Sequence, residues 1–284
     1  MNKYTYPENQ QPTPQNTKLL ALVGENKQVL EVGCAMGFQT RALHEIQRCQ
    51  VTGIEIDPDA ANYARPYCED LIIGDIETMN VGQLLHDRQF DVITFADVLE
   101  HLKDPAAVLY KMKPLLREGA YVLASIPNIA HCSVVYEMAR GRFAYRSLGL
   151  LDDTHIRFFT LQNVYQTFEK AGYLVVALDR NRLPASETEF KTNPETDEDR
   201  QFLEYIKQRN PDAETYQFVV KAIPINGTDT YQSGLIAAQE QIQLLVQDAK
   251  INEKRIRELE SHLAWITKQP GYRFLSAISH MIKR

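Results

Sequence analysis

Residues 29–37 read Val-Leu-Glu-Val-Gly-Cys-Ala-Met-Gly and tell more about this chain than any other segment. The apolar, β-branched run over residues 27–32 predicts a buried strand, and a helical pattern begins at Phe38. The turn between them has small residues at alternate positions, namely Gly33, Ala35 and Gly37. Small residues let the backbone approach a ligand closely, and a helix start offers N–H groups that have no intrahelical partner. The segment therefore predicts a strand–turn–helix unit built against a ligand.

The spacing of this turn, Gly-x-Ala-x-Gly, differs from the Gly-x-Gly-x-x-Gly of dinucleotide-binding enzymes, and Glu31 stands two residues before the first glycine. The combination resembles motif I of the class I S-adenosylmethionine-dependent methyltransferases, in a variant with Gly-Cys-Ala. The resemblance implies that Glu31 supports the turn and helps to place the ammonium group of the cofactor. It also implies that the turn passes under the methionine part of S-adenosylmethionine and contacts it through Gly33, Cys34, Ala35 and Gly37.

A second predicted strand covers residues 50–57 and carries an acid near its end. Glu55 lies about twenty residues beyond the turn, the distance at which an acidic side chain binds ribose hydroxyls in a nucleotide-binding βαβ unit. We therefore assign Glu55, with the adjoining Ile56, to the ribose of the cofactor. The alternative is a solvated acid at a strand end.

A third predicted strand over residues 71–76 ends in Gly74-Asp75-Ile76. In the resembling family, an acid at this point accepts a hydrogen bond from the adenine amino group. The resemblance thus implies that Asp75 binds this amino group and that the Ile76 N–H reaches the adenine ring. The alternative for Asp75 is an ordinary Gly-Asp turn.

The fourth predicted strand, over residues 90–95, runs into Ala96 and Asp97, and a helix is predicted from there to Met112. Ligands of parallel α/β sheets collect at the carboxyl ends of the strands. Ala96 and Asp97 are therefore expected at the mouth between the cofactor and the acceptor.

The same segment, Asp97-Val-Leu-Glu100-His101, resembles the Glu-x-x-Glu-His element that holds a divalent cation in some ubiquinone-pathway and small-RNA methyltransferases. Asp97 replaces the first glutamate of that element. Two carboxylates and an imidazole within one turn suit a hard or borderline metal. Because many relatives carry the Glu-His pair as a helix-start feature without metal, the sequence analysis predicts no metal and keeps Asp97, Glu100 and His101 as the alternative.

Residues 125–160 resemble a subgroup of methyltransferases associated with polysaccharide and other glycan assembly. The similarity lies in Ser-Ile-Pro-Asn-x-x-His and in Leu151-Asp-Asp-Thr-His-Ile-Arg-Phe-Phe-Thr160. Asp153 occupies a position where a basic residue is expected. A helix is predicted over residues 134–145, as part of a lid over the acceptor.

Transfer of a methyl group to a hydroxyl benefits from a general base, and imidazole has a suitable pKa. His155, held by Asp152 or Asp153, is the first candidate for this base, His131 the second and His101 the third. Asn128 and Arg157 are candidates for binding the acceptor. Each histidine also has a purely structural alternative.

Composition limits the class of protein. The chain has 284 residues, 44% hydrophobic content, a net charge of −6 and a pI near 5.7, which offers no broad basic surface for nucleic acid. Its four cysteines form no Cys-x-x-Cys pair and no secretory leader precedes them, which predicts a reducing cytoplasm. No apolar run approaches the roughly 18 residues of a membrane span.

The predicted fold class is α/β, a Rossmann-like, doubly wound sheet of seven strands with the last strand antiparallel. A flexible lead (1–18) precedes the methyltransferase domain (19–225), which contains the lid and acceptor segment (128–160). An acidic insertion (184–214) with a helix over residues 200–208 lies at the edge of the domain.

The pattern changes after the domain. Apolar or small residues alternate spacings of three and four over residues 228–268, which predicts a coiled coil and a homo-oligomer. The alternative is a helix that packs on the catalytic domain. Residues 270–284 form an amphipathic tail, which suits a partner helix or peripheral contact with an anionic membrane surface.

Three functions remain open at this stage. The first is S-adenosylmethionine-dependent O-methylation of a sugar hydroxyl in a glycan or polysaccharide intermediate. The second is O-methylation of a phenol, a quinone precursor or another small metabolite, with or without a metal. The third is a non-catalytic scaffold that binds the cofactor.

Overall fold

A seven-stranded sheet runs through residues 14–225, the part of the chain that this computed structural model describes. The strands are β1 (Gln28–Val32), β2 (Gln50–Glu55), β3 (Asp70–Ile73), β4 (Phe90–Ala96), β5 (Leu116–Pro127), β6 (Tyr173–Arg182) and β7 (Thr215–Pro224). Their order in the sheet is β3-β2-β1-β4-β5-β7-β6. The first five strands pair in parallel, whereas β7 is antiparallel to both β5 and β6. The predicted doubly wound sheet with a reversed last strand is confirmed.

Helices connect the strands and cover both faces of the sheet. They are α1 (Pro14–Val23), α2 (Phe38–Glu45), α3 (Pro58–Ala64), α4 (Val81–Leu84), α5 (Pro105–Met112), α6 (Cys132–Ala139), α7 (Leu161–Lys170) and α8 (Asp197–Arg209). Within the described range, no helix combines the length and the apolar character that crossing a membrane requires.

The two faces of the sheet bury two separate cores, because successive side chains of a strand point in opposite directions. Leu30 and Ile93 belong to a large cluster that includes apolar residues of α5 and α7. Their neighbours Val29 and Val92 belong to a second cluster with α1 and α2. The sheet is therefore sandwiched between helical layers, and only the ends of its strands are left for a ligand.

The strand order reverses beside β1. The crossover from β1 leads to β2 on one side, whereas β4 pairs with β1 on the other. A crevice forms at such a switch point, outside the carboxyl ends of the strands. The turn at residues 33–37 follows β1 directly and therefore lies at this crevice.

Two predicted helices are shorter in the structure. The helix expected from Asp97 to Met112 consists of a 3₁₀ turn (Leu99–His101) and the separate helix α5. Asp104 caps α5 through a hydrogen bond from the Ala107 N–H, and proline occupies its first turn, so a new helix starts there.

The helix expected over residues 134–145 is α6, which ends at Ala139. Gly141 adopts a φ of 72° shortly after that end, a left-handed conformation that glycine accepts without strain. The segment from there to Gly149 forms no helix. The predicted lid segment (128–160) therefore consists of a shorter helix followed by a long irregular segment.

The acidic insertion packs against the lid segment. Its helix α8, longer than predicted, buries Leu203 and Ile206 against Cys132 and Tyr136 of α6. Acids fill the first turn of α8 and basic residues its last turn, which complements the helix dipole. The predicted lead up to residue 13, the coiled coil (228–268) and the tail (270–284) lie outside the described residues.

Candidate active site

The turn after β1 has the backbone geometry of a ligand cradle. Gly33 and Gly37 have φ values of 73° and 79°, and Ala35 has one of 46°. A Cβ atom at Gly37 would lie 2.5 Å from Ala64 Cα, and one at Gly33 would lie 2.6 Å from a methyl carbon of Val98. Both glycines are therefore required by left-handed geometry and by close packing. Ala35 accepts the left-handed conformation at a modest cost, because its side chain is a single methyl group.

Glu31 lies at the end of β1 and is 3% exposed. Its Oε2 accepts a hydrogen bond of 2.6 Å from the Thr40 hydroxyl in the first turn of α2. Burial raises the pKa of Glu31 to about 8, although the hydrogen bond from Thr40 acts in the opposite direction. The carboxyl group therefore keeps its proton at neutral pH until a cation approaches it.

Glu55, at the end of β2, ties that strand to the cradle. Its Oε2 accepts from the Ala35 N–H at 2.7 Å, and its Oε1 accepts from the N–H groups of Ile56 (2.9 Å) and Asp57 (3.0 Å). A carboxylate has about four acceptor positions, so one remains on Oε2. Ile56 itself is 65% exposed. The assignment of Glu55 to ribose hydroxyls stays a prediction.

The loop after β3 carries Asp75 and Ile76. Asp75 Oδ1 accepts from the Glu77 N–H at 2.8 Å, and the Ile76 carbonyl accepts from the Lys111 ammonium group. Ile76 is 7% exposed and belongs to the large core. The contacts of the Asp75 carboxylate and the Ile76 N–H with adenine stay predictions.

Asp97 follows β4 with a left-handed φ of 53°, which is unusual for a residue with a side chain. The residue as a whole is exposed, yet its carboxyl group accepts from the side-chain amide of the buried Gln217 on β7. The Asp97 N–H bonds to the hydroxyl of Ser125 at 3.1 Å. Desolvation of the carboxyl group raises the pKa of Asp97 to about 6, against the hydrogen bonds from Gln217 and Ser125.

Four predicted cofactor-binding acids therefore stand in sheet order along one edge. Asp75 follows β3, Glu55 is the last residue of β2, and Glu31 is the next-to-last residue of β1. Asp97 comes directly after Ala96, the last residue of β4. This arrangement needs no long-range packing, because parallel neighbouring strands end at the same edge. It fits a ligand that carries an ammonium group, vicinal hydroxyls and a ring amino group in a row.

A second group of polar side chains lies beyond Asp97. Glu100, His101 and His155 each offer a ligand atom within 4.8 Å of the others, and they are the one such cluster in residues 14–225. The rings of His101 and His155 meet edge to face at 4.8 Å. The alternative metal site suggested by the sequence consisted of Asp97, Glu100 and His101. In the structure the cluster contains His155 instead of Asp97, whose carboxyl group is bound by Gln217.

Glu100 is the least satisfied member of this cluster. It is 0% exposed, and neither carboxylate oxygen has a hydrogen-bond partner in the described part of the chain. His155 Nε2 lies 3.9 Å from Glu100 Oε1. Desolvation, followed by repulsion from Asp97, raises the pKa of Glu100 well above its usual value. Such a group requires either a proton or a cation at its oxygens.

The hydrogen bonds of the two histidines assign their protons. His101 Nδ1 lies 3.1 Å from the Thr154 carbonyl, and His155 Nδ1 lies 3.3 Å from the Leu150 carbonyl. A carbonyl oxygen only accepts, so each Nδ1 carries the proton and each Nε2 is the acceptor nitrogen. Both imidazoles can therefore take up a proton or bind a metal through Nε2.

His131 occupies a different environment from the one expected for a base. Its ring is 0% exposed, with Nδ1 2.8 Å from the Ser133 hydroxyl and Nε2 2.9 Å from the Leu183 carbonyl. It also caps α6 through the Ser133 N–H. Burial lowers the pKa of His131, which keeps the ring neutral. The geometry favours a structural role, and its assignment as a base stays a prediction.

Asn128 is equally enclosed. The residue is 0% exposed, and its amide nitrogen donates to the carbonyls of Asp212 (3.0 Å) and Thr215 (2.8 Å). Its oxygen accepts from the Ala130 N–H. A contact with an acceptor would break one of these bonds, so the geometry favours a role in joining β5 to β7.

The remaining predicted residues lie on the segment after Leu151. Asp152 is 3% exposed, and its Oδ1 accepts from the backbone N–H and the hydroxyl of Thr154. Arg157 is exposed, and its guanidinium donates to the backbone carbonyls of Lys103 and Ile156. Asp152 therefore shapes the turn that presents His155, while Arg157 lies at the surface near the start of α5.

Sequence analysis missed two residues that complete the site. Thr40 lies three residues beyond Gly37 and donates to Glu31. Its hydroxyl in the predicted first turn of α2 is the feature of the sequence that could have indicated this contact. Gln217 is a buried polar residue of strand β7, and its contact with Asp97 spans 120 positions of sequence. No local pattern indicates that contact.

Comparison with known proteins assigns the sequence to one family. A family model described as a methyltransferase domain matches residues 8–178, which is more than half of the chain. The ubiquinone biosynthesis O-methyltransferase of Acinetobacter baylyi is 25% identical over 150 residues, which cover 51% of this chain and 63% of that protein. The tRNA U34 carboxymethyltransferase of Nautilia profundicola is 28% identical over 179 residues, which cover 60% of this chain and 55% of that protein.

The chain thus spans between about half and two thirds of the length of these curated relatives. Among solved structures, a SAM dependent methyltransferase from Archaeoglobus fulgidus superimposes with a TM-score of 0.50 at 15% identity, covering 73% of this chain and 93% of that one. This likeness supports the fold. Neither curated relative has a name that refers to a sugar, so these comparisons do not support the resemblance to glycan-assembly enzymes.

Proposed function

The chain belongs to the methyltransferase-domain family, and we propose that it is an S-adenosylmethionine-dependent methyltransferase that acts on a hydroxyl of a phenol, a quinone precursor or a similar small metabolite. The observation that carries the proposal is the cluster of Glu100, His101 and His155, in which Glu100 is 0% exposed and His101 is half-buried. It would place proton-accepting nitrogens beside the cofactor edge of the sheet. The name of the Acinetobacter baylyi relative, a ubiquinone biosynthesis O-methyltransferase, supports a small hydroxylated acceptor over a sugar.

The residues of the sheet edge fit the cofactor. The left-handed turn leaves no side chain larger than a methyl group at its three small positions, and acids follow in the order that the methionine, ribose and adenine parts require. When bound, the cofactor supplies an electrophilic methyl group. Glu31 would face its ammonium group, Glu55 its ribose and Asp75 its adenine. The ammonium group would draw the proton from Glu31, because an adjacent cation favours the charged carboxylate.

His155 is the residue proposed to take the proton of the acceptor hydroxyl. Its Nδ1 proton is directed at the Leu150 carbonyl, which leaves Nε2 as the accepting atom. Glu100 Oε1 lies 3.9 Å from that nitrogen, so an imidazolium formed there would favour the charged form of Glu100, and the resulting carboxylate would in turn stabilise the imidazolium. As the hydroxyl loses its proton to Nε2, its oxygen becomes the nucleophile that receives the methyl group. A phenolic hydroxyl has a pKa near 10, so imidazole is a sufficient base for it.

A divalent cation is the second candidate for the same cluster, and the unsatisfied oxygens of Glu100 are the observation that favours it. Glu100, His101 and His155 would hold it, and two nitrogens with a carboxylate oxygen suit a borderline metal. Each histidine also donates Nδ1–H to a backbone carbonyl, the usual support for a ligating imidazole. Such a cation would act as a Lewis acid toward the acceptor oxygen.

Methyl transfer from labelled S-adenosylmethionine tests the proposal on the full chain. Three acceptors are compared at equal concentration: a catechol-type diphenol, a neutral oligosaccharide and an unmodified transfer RNA. We expect labelled methyl ether on the diphenol alone. Labelling of the oligosaccharide alone would restore the sugar acceptor that the sequence first suggested, and labelling of the RNA alone would also refute the proposal.

Two further arms separate the proton acceptor from the metal. His155→Gln should bind S-adenosylhomocysteine with wild-type affinity and lose about 10²–10⁴-fold in turnover, whereas His44→Gln, on the exposed side of α2, should change neither quantity. Dialysis against a chelator should leave turnover intact if the cluster works through protons. Loss of turnover that added divalent cation restores would assign the cluster to a metal.

A further inference from the structure

Three backbone carbonyl groups of the loop after β3 converge on one side chain. Lys111, in the last turn of α5, donates through Nζ to the carbonyl of Ile76, and the same atom lies 3.3 Å from the carbonyl of Glu77 and 3.4 Å from that of Met79. An ammonium group has three N–H bonds, and this loop provides an acceptor for each. Charge-assisted hydrogen bonds of this kind are about twice as strong as neutral ones. Lys111 therefore closes the loop into a single conformation.

The opposite end of α5 holds the same loop. Glu77 Oε1 accepts from the N–H groups of Lys103 (2.9 Å) and Asp104 (3.1 Å), which immediately precede the first residue of the helix. These N–H groups belong to a helix start, where a negative charge is favoured. The helix itself is anchored in the large core by Leu109 and Met112, both of which are 0% exposed. The loop is thus clamped to a rigid element at two points.

The clamped loop is the one that carries Asp75 and Ile76. Asp75 Oδ1 accepts from the Glu77 N–H, and the Asp75 carbonyl accepts from the N–H of Met79 at 2.9 Å. The orientation of the Asp75 carboxyl group therefore depends on the backbone of residues 77 and 79. Lys111 bonds to the carbonyls of those same two residues.

We propose that Lys111 is a positioning residue for recognition of the cofactor's adenine: by binding the carbonyls of residues 76, 77 and 79, it sets the Asp75 carboxylate and the Ile76 N–H at the ring. The inference rests on the use of S-adenosylmethionine and on the assignment of Asp75 to adenine. It does not depend on the identity of the acceptor.

Lys113 supplies a matched control. It lies two residues further along and donates through Nζ to the carbonyl of Ile225 at 2.7 Å, away from the loop. Burial lowers the pKa of both lysines, and each donates to a backbone carbonyl. Lys113→Met therefore controls for the loss of a partly buried ammonium group that does not bind the loop.

The test is a calorimetric titration of the full chain with two ligands. One is S-adenosylhomocysteine, and the other is S-inosylhomocysteine, which lacks the ring amino group. We expect Lys111→Met to weaken S-adenosylhomocysteine binding about tenfold and to weaken S-inosylhomocysteine binding less, so that the preference for the amino group falls. Lys113→Met should keep both dissociation constants, and Lys111→Arg should recover most of the preference, because a guanidinium also donates to several carbonyls.

Kinetics give a second readout. Lys111→Met should raise the KM for the cofactor and leave kcat nearly unchanged, since Lys111 touches no reacting atom. An unchanged preference between the two ligands in Lys111→Met, or an equal loss of preference in Lys113→Met, would overturn the inference. Wild-type binding of S-adenosylhomocysteine without methylation of any phenol would refute only the proposed acceptor. Absence of binding by the wild type would overturn both.

Discussion

Replacement of Glu31 by glutamine should remove a large pH dependence from the stability of the protein without cofactor. Burial raises the pKa of Glu31 from 4.5 to about 8. Between these two values the unfolded chain has released the proton and the folded chain still holds it. Stability is therefore fully present below pH 4.5 and is lost as the pH rises to about 8.

The size of the effect follows from the shift. One pKa unit corresponds to 1.36 kcal/mol, so a rise from 4.5 to about 8 amounts to about 4–5 kcal/mol in the free energy of unfolding. Glutamine has the shape of the protonated acid, and its carbonyl oxygen can accept the hydrogen bond that Thr40 donates to Glu31. The variant should thus match the wild type near pH 4.5 and exceed it by several kcal/mol at pH 9.

Urea denaturation of the wild type and Glu31→Gln at pH 5, 6, 7, 8 and 9 measures this difference directly. Glu45→Gln serves as the control, because Glu45 is an exposed acid that pairs with Arg41 across one helical turn. Its stability curve should run parallel to that of the wild type over the whole range. Parallel curves for Glu31→Gln as well would refute the reasoning, since they would mean that Glu31 ionises in the folded protein as it does in the unfolded chain.

Three other outcomes follow from the same geometry. Gly37→Ala should lower the free energy of unfolding by about 2–4 kcal/mol, because it places a Cβ atom 2.5 Å from Ala64 Cα at a left-handed position. Gly141 is also left-handed but has no neighbour within 4 Å of an added Cβ atom, so Gly141→Ala should lower it by only about 1 kcal/mol. Chemical denaturation of the two variants measures this difference. Asn128→Ala should lower stability by about 1–3 kcal/mol, because it removes the hydrogen bonds to the buried carbonyls of Asp212 and Thr215, of which the Asp212 carbonyl keeps the Thr215 N–H as a donor. Wild-type stability of the variant would favour a role for Asn128 in binding the acceptor. Binding of S-adenosylhomocysteine near pH 7 should release a proton from Glu31, which calorimetry in buffers of different ionisation enthalpy detects and which Glu31→Gln should abolish.

The placement of the predicted cofactor-binding acids could be foreseen because it depends on local geometry. Glu31 and Glu55 lie at the ends of β1 and β2, and Asp75 comes shortly after β3; because these strands pair in parallel, a correct assignment of the strands places the three acids at one edge. The alternate spacing of small residues in the turn after β1 indicated a close approach to a ligand. Even the break before α5 was visible in Asp104 and Pro105, a capping residue followed by proline.

The acceptor side depends on contacts between distant positions, and a single sequence does not encode these in any periodicity. Asn128 reads as an exposed polar residue after a strand, yet its partners lie 84 and 87 positions away at the start of β7. The acidic composition of residues 184–214 indicates a surface segment. It gives no sign that α8 buries part of its length against α6, or that the carbonyl of Leu183, just before this segment, lies 2.9 Å from His131 Nε2.

Asp97 joins the two sides of the site. Its carboxyl group accepts a hydrogen bond from Gln217 on the reversed strand β7, and its charge also helps to raise the pKa of Glu100, three residues later. A left-handed aspartate costs about 1 kcal/mol or more, and such strain persists only where the surroundings impose it. With this backbone conformation, Asp97 keeps its carboxylate at the end of β4. The chain then turns sharply, and Glu100 is buried beside His155. A conventional helix over residues 97–112, as the sequence pattern predicts, would not combine these two placements. The interruption of that helix therefore lets Asp97 stay at the carboxyl edge of the sheet while Glu100 is buried beside His155.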